Sequence, residues 1–199
     1  VGQTLLPFSP MTMTNRFYTY NPSTNLYVAL TAPDATSFAT GSGYLIRMPN
    51  NHPTTPLVWN GTFTGVPTNG TVNLNVTSGL YHAIGNPYPS AIDTDDFIAA
   101  NGITEALYFW RKTNNTNNPS YATYTTAGGV SNSGSDPLGL APNGVLQVGQ
   151  GFLVKPTAAT VTFTNAIRLG SSAPLLRTSL NKSRFWLNLT STTGNFCQT

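Results

Sequence analysis

The stretch GQGFLVK, residues 149–155, decides the fold, because a near-copy of it, GSGYLIR, occupies residues 41–47. Both stretches read Gly, any residue, Gly, an aromatic residue, Leu, a β-branched residue and a basic residue. A strand-forming run follows each pair of glycines, whereas a phosphate-cradling loop would require a helix there. The glycines instead fit a β-bulge or the close approach of a neighbouring strand. The repeat therefore predicts two copies of one β-unit.

The sequence around the two stretches supports the repeat. Upstream, FYTY at residues 17–20 corresponds to LYFW at residues 107–110. Near the end of the first copy, TVNLNV at residues 71–76 alternates strictly between polar and apolar residues, which is typical of a half-buried strand. The fold class that these patterns predict is all-β, with two repeated antiparallel β-sandwich-like units and one short helix.

The domain boundaries follow from the extent of each copy. Residues 1–78 are predicted to form the first β-unit and residues 79–169 the second, with a linker and the first strands of a following C-terminal domain in residues 170–199. The first copy lacks a counterpart of the strand expected at residues 80–84, so we expect it to be N-terminally incomplete. The second copy has an extra Gly/Ser/Asn/Pro-rich segment, residues 128–143, which is expected to be a long loop.

One helix is predicted in the second copy. Asp93 is expected to be its N-cap, residues 94–96 its first turn, and Asn101-Gly102 its end. Ile92 and Phe97 have the spacing of a hydrophobic staple. Acidic residues stabilise this end of a helix dipole, so capping explains Asp93, Asp95 and Asp96. A calcium ion bound near Asp93–Asp96 is an open alternative, although the spacing of a calcium-binding loop is absent.

The composition limits the classes of partner. Charged residues make up 8% of the 199 residues, and the formal net charge is +3. The basic residues are spread thinly, whereas a nucleic-acid surface needs clustered cations, so no nucleic-acid partner is predicted. No apolar run is long enough for a transmembrane helix. The single cysteine, Cys197, excludes an internal disulfide bond.

No catalytic or metal constellation emerges from the sequence. Neither His52 nor His82 has a nearby metal-ligand partner in the sequence, and no Gly-x-Ser-x-Gly nucleophile motif occurs. A glycosidase would need two opposed carboxylates, and the only acidic cluster lies at the predicted helix cap. The chain is therefore expected to be no enzyme, with no cofactor, no metal site and no catalytic residue. The acids available for such chemistry are Asp34, Asp93, Asp95, Asp96, Glu105 and Asp136.

Aromatic residues on two strands provide the candidate ligand site. An exposed aromatic surface beside a cation would stack against sugar rings, and the alternative is that these side chains fill the core of a sandwich. The candidate residues are Tyr108, Trp110, Arg111, Tyr121 and Tyr124.

Three stretches carry a resemblance to a known group of proteins. They are YHAIGNPYPSAID at residues 81–93, GQGFLVK at residues 149–155 and RFWLNLT at residues 184–190. Together they resemble the C-terminal region of large surface proteins that the type IX secretion system of gliding bacteria exports, including SprB-like gliding adhesins. The third stretch resembles the entry to that group's C-terminal sorting domain.

The resemblance implies a location and partners. In that group the sorting domain directs export through the outer-membrane type IX translocon, often with an SprF-like membrane partner. The chain stops at Thr199, so most of such a domain is expected to lie outside it. The expected location is extracellular, at the cell surface.

The functional prediction combines these observations. We expect a non-catalytic extracellular module of a secreted bacterial cell-surface adhesin, serving as a presenting or stalk domain beside a C-terminal secretion or anchoring domain. The alternative is a carbohydrate-binding accessory module of a secreted enzyme. A third interpretation is that the export machinery is the main partner of this region.

Overall fold

The structure is a computed structural model that describes residues 2–51, 61–111, 120–131, 140–170, 187–191 and 194–198. The expectations for His52, Asp136, residues 132–139 of the long loop and residues 171–186 of the linker and last strand lie outside these ranges.

The described residues form mainly antiparallel strands. In the first copy, the strands are β1 (Phe17–Asn21), β2 (Leu26–Ala29), β3 (Leu45–Ile46) and β4 (Val72–Asn75). The second copy contains β5 (His82–Gly85), β6 (Ile92–Asp93), β7 (Leu107–Arg111), β8 (Ser120–Thr125), β9 (Gly128–Val130), β10 (Val145–Leu146), β11 (Gly151–Val154) and β12 (Thr160–Phe163). The last pair is β13 (Leu187–Ser191) and β14 (Gly194–Gln198).

Helices contribute little to the described chain. The helix α1 (Leu5–Phe8) is four residues long, and α2 (Thr94–Asn101) is eight residues long. Every strand pair in the described ranges is antiparallel. The predicted all-β fold is thus confirmed, and α2 is the one described helix of seven or more residues. Within the described ranges, no helix is long and apolar enough to cross a membrane.

The largest sheet has the strand order β5-β11-β7-β8-β9. One face of it packs against α2 and against the two-stranded sheet of β4 and β12. Phe97 of α2 lies 5.6 Å from Phe152 of β11 and 5.0 Å from Phe163 of β12, measured between ring centroids. Burying aromatic side chains from three elements supplies much of the hydrophobic stabilisation of this core.

The alternating strand of the first copy contributes to the same core. Val72 and Leu74 of β4, together with Val76, are half-buried and pack against it, as the alternation predicts. The partner of β4 is β12, with Val72 opposite Phe163 and Asn75 opposite Thr160. This pairing links residues on either side of the boundary expected at residue 78.

The helix α2 begins and ends where the sequence predicts. The Asp93 Oδ1 atom accepts hydrogen bonds from the N–H groups of Asp95 (2.9 Å) and Asp96 (3.1 Å). Gly102 follows the helix with a left-handed φ of 57°, a conformation that suits glycine because it has no Cβ. Ile92 and Phe97, the predicted staple pair, are both fully buried.

Two further predictions concern the edges of the fold. Residues 187–191 and 194–198 form an antiparallel hairpin, with Ser191 opposite Gly194, in the region where strands are expected. The expectation that residues 128–143 form one loop is wrong at its start, because Gly128–Val130 forms the edge strand β9. Gly129 permits this arrangement, since a Cβ there would lie 1.9 Å from the carbonyl oxygen of Pro142.

Candidate functional site

Strand β5 lies between the two glycine stretches and contacts both of them. On one edge, β11 of the second copy pairs with it, with Gly151 opposite Gly85. On the other edge, the N–H of Gly43 donates to the carbonyl oxygen of Ala83 (3.0 Å), and the N–H of Gly85 donates to that of Gly41 (2.9 Å). The two repeated stretches therefore flank one strand.

The structural requirement for glycine differs among the positions of the two stretches. A Cβ on Gly43 would lie 2.9 Å from both the carbonyl carbon of Ala83 and the carbonyl oxygen of Ile84. At Gly151 the nearest atom to such a Cβ is the Ile84 oxygen, 3.5 Å away. Gly41 and Gly149 both have positive φ angles, 77° and 70°. The predicted close approach of a neighbouring strand is thus found at Gly43.

A groove of about 620 Å³ runs along this junction. We call it the inter-repeat groove. Its volume falls in the range of roughly 300–1,000 Å³ that is typical of small-ligand sites. Small residues from both copies form part of its lining, and aromatic residues from both copies form much of the remainder. Its small lining residues include Gly43, Ala83, Gly85 and Gly151, and its aromatic ones include Tyr27, Tyr44, Phe63, Tyr108 and Trp110.

Three of the five predicted ligand residues lie together beside this groove. Trp110 and Tyr121 are opposite each other in the β7–β8 pair, with ring centroids 5.0 Å apart, and Tyr108 lies 6.2 Å from Tyr121. Trp110 is 43% exposed, although large apolar side chains are usually buried. Tyr108 and Trp110 line the groove itself.

The other two predicted residues, Arg111 and Tyr124, point to the opposite, buried face of the sheet. Arg111 is 3% exposed and donates from Nη1 to the carbonyl oxygen of Leu140 (3.0 Å). Tyr124 donates its hydroxyl to Asp95 (3.0 Å). Burial, followed by this hydrogen bond, raises the pKa of Tyr124 to about 12. Neither residue contributes to the groove surface.

Tyr27 is a groove residue that the sequence reasoning missed. It lies on β2 of the first copy, near Tyr121 on β8 of the second. Burial first, and then the proximity of Tyr121, raises the pKa of Tyr27. Its sequence signal was its place in a hairpin that corresponds to the β7–β8 hairpin, but the contact between the hairpins is a feature of the tertiary fold.

Phenylalanines of the first copy also line the groove. Phe8 stacks on Phe63 with ring centroids 4.6 Å apart, and Phe38 meets Phe63 edge-on at 5.2 Å. The Phe63 ring also lies against the second copy, 3.3 Å from the position of a Cβ on Gly149. The lining of the groove thus joins phenylalanines of the first copy to the second glycine stretch.

The GNPYPS segment, residues 85–90, is held by one buried side chain. Asn86 Nδ2 donates to the carbonyl oxygens of Ser90 (2.8 Å), Leu146 (3.3 Å) and Gln147 (3.2 Å). Its Oδ1 accepts from the N–H of Tyr88 (2.9 Å). Asn86 therefore fixes the Pro-x-Pro turn and joins it to β10.

Several charged groups of the described chain have structural partners. Lys155, the last residue of the second glycine stretch, lies 2.7 Å from Glu105, which also accepts from the hydroxyl of Tyr81 (3.0 Å). The hydrogen bond from Lys155 and, to a smaller extent, the one from Tyr81 lower the pKa of Glu105. Within the described ranges, no group of three or more His, Cys, Asp or Glu residues is arranged to hold a metal ion.

His82 is a hydrogen-bonded histidine on strand β5. Its Nε2 accepts from the N–H of Thr77 (2.9 Å). Partial burial lowers the pKa of His82, and the carbonyl oxygen of Thr77, 3.2 Å from Nε2, opposes this shift to a smaller extent.

The stability of the chain is expected to fall as the pH drops below about 6.5, the ordinary pKa of histidine. Because the folded state holds the lower pKa, the unfolded chain binds the proton more readily, and acid favours unfolding. This contribution is complete above pH 6.5 and is lost as the pH falls through the folded pKa. Urea unfolding at pH 7.5 and 5.5 measures it. His82→Gln, which keeps an acceptor for Thr77, should show a smaller pH dependence, and an equal dependence would contradict the assignment.

Comparison with known proteins yields one match. No curated protein and no solved structure is similar to the chain. A single family model, described as a domain of unknown function, DUF8693, matches residues 1–199. Because that match covers the whole chain, the protein belongs to the DUF8693 family.

Proposed function

We propose that the chain is a non-catalytic module of a secreted bacterial cell-surface adhesin, which acts as a stalk or presenting domain. The observation that carries the proposal is the position of β5, which bonds to the glycine stretches of both copies. Backbone hydrogen bonds on both edges of one strand couple the copies without a flexible linker between them. Such coupling suits a module that must hold a binding surface away from a cell.

The context of the proposal comes from the sequence resemblance. Residues 81–93, 149–155 and 184–190 resemble the C-terminal regions of surface proteins exported by the type IX system. On this proposal the partners are the type IX translocon and an SprF-like membrane protein, reached through a following C-terminal domain. The low charge content, 8% of residues, also suits an extracellular β-protein.

Surface exposure of the module on intact cells tests the proposal. Antibodies raised against the purified chain should stain unpermeabilised cells of the source organism, and added protease should remove the signal. A cytoplasmic protein stained only after permeabilisation is the control. Staining of the module confined to permeabilised cells would contradict the surface location. A hydrolytic activity that disappears when one acid, such as Glu105, is replaced by its amide would contradict the non-catalytic role.

A second candidate function is a carbohydrate-binding accessory module of a secreted enzyme. The exposed Trp110 beside Tyr108 favours it, because partly exposed aromatic rings on a strand surface suit stacking against sugar rings. A parent protein with a catalytic domain in the same chain would favour this candidate over the adhesin.

A further inference from the structure

We infer that the inter-repeat groove binds a neutral oligosaccharide, and that both copies of the repeat contribute to the site. The inference holds for a surface adhesin and for an enzyme accessory module alike, so it does not depend on the proposed function. It depends on the size of the groove, on the uncharged residues described in its lining, and on the hydrogen bonds that occupy both edges of strand β5, which forms its floor.

The described residues that line the groove carry no formal charge. None of the described residues around the groove is Asp, Glu, Lys or Arg. Lys155 and Glu105 lie outside the lining and form an ion pair with each other, with Nζ 2.7 Å from Oε1. A charged ligand would lose its hydration in the groove without gaining a counter-charge. The electrostatic character therefore favours a neutral ligand.

The chemistry of the lining matches the two kinds of surface that a sugar presents. The rings of Tyr27, Tyr108 and Trp110 offer apolar faces to the C–H surfaces of a pyranose. Hydroxyl and amide groups that suit sugar hydroxyls are also present, on Thr40 and Gln150 among others. A volume of about 620 Å³ accommodates a ligand of a few rings.

The floor of the groove argues against a peptide strand as the occupant. An extended peptide usually docks by adding to a free strand edge. Both edges of β5 are occupied, by β11 on one side and by Gly41 and Gly43 on the other. Strand β5 therefore has no free edge to which a peptide strand could add. A ligand recognised by ring stacking and by contacts to its hydroxyl groups fits this floor better.

Binding to a glycan array followed by calorimetry tests the inference. The array carries neutral gluco-, manno- and galacto-oligosaccharides, sialylated and uronic-acid glycans, and an uncharged peptide as the non-sugar probe. We expect binding to neutral oligosaccharides. Trp110→Ala should weaken the affinity about tenfold or more, since a central aromatic contact commonly carries that share of binding. Trp110→Phe should weaken it less.

Two further variants separate binding from folding. Val130→Ala changes an exposed apolar residue of the same sheet, outside the groove lining, and should leave the affinity unchanged. Gly151→Ala adds a methyl group to the groove floor, where its nearest neighbour would be 3.5 Å away. It should keep the fold and lower the affinity. No binding to any neutral sugar, binding only to acidic glycans or to the peptide, or an affinity that Trp110→Ala leaves unchanged would each overturn the inference.

Discussion

Replacing Gly43 by alanine is expected to lower the free energy of unfolding by about 2–3 kcal/mol, the cost typical of overpacking a tight site. A Cβ at this position would lie 2.9 Å from the backbone of Ala83 and of Ile84. Those atoms belong to β5, which is hydrogen-bonded on both edges. The clash cannot be relieved by turning a side chain, so the first copy would have to separate from β5.

The repeat supplies its own control for this experiment. Gly151 is the counterpart of Gly43 in the second stretch, yet its Cβ would make only an ordinary contact at 3.5 Å with Ile84. Gly151→Ala is therefore expected to change the free energy of unfolding by less than about 1 kcal/mol. Chemical denaturation of both variants measures the difference. Equal effects of the two substitutions would show that the contact of Gly43 with β5 does not hold the copies together.

The different packing of Gly43 and Gly151 shows which part of the fold can be predicted from the sequence. The repeat predicted that strands follow both glycine pairs and that a neighbouring strand comes close. Which strand comes close depends on pairing between distant parts of the chain, and the same strand, β5, serves both stretches. The two similar stretches are therefore packed differently against β5, and the local sequence does not predict this difference.

Local features were the most predictable. The cap at Asp93 and the left-handed Gly102 involve neighbours within a few residues, so their signals are complete in the sequence. Strand β9 was missed for the opposite reason. The segment around Gly129 looks like a loop in the sequence, but it pairs with β8 as an edge strand. The approach of the Pro142 backbone, which is distant in sequence, explains the glycine at position 129.

The candidate site was predicted in part for a similar reason. Successive residues of a strand point to opposite faces of a sheet, so Trp110 and Arg111 could not both face one ligand. Applying that alternation would have separated Arg111 and Tyr124 from Tyr108, Trp110 and Tyr121. Tyr27 could not have been found in this way, because its contact with Tyr121 joins the two copies.

Replacing Asn86 by aspartate is expected to destabilise the chain most strongly, by about 3–5 kcal/mol, the cost typical of an uncompensated buried charge. The Asn86 amide donates to the carbonyl oxygens of Ser90, Leu146 and Gln147. An ionised carboxylate in its place has no proton to donate and would face these three oxygens in a buried site. Thermal unfolding should show a melting temperature lower by on the order of 10 °C.

The pH dependence of this variant distinguishes a lost clamp from a general effect of added charge. The buried carboxylate should have a raised pKa in the folded state, so the folded state binds its proton more readily than the unfolded chain. The stability deficit of Asn86→Asp should therefore shrink as the pH falls from 7 toward 4. Asn75→Asp makes the same charge change at an exposed position on β4 and should cost less than about 0.5 kcal/mol. Equal losses of stability in both variants at pH 7 would show that the Asn86 side chain does not join the Pro-x-Pro turn to β10. Other contacts would then hold the GNPYPS segment in place.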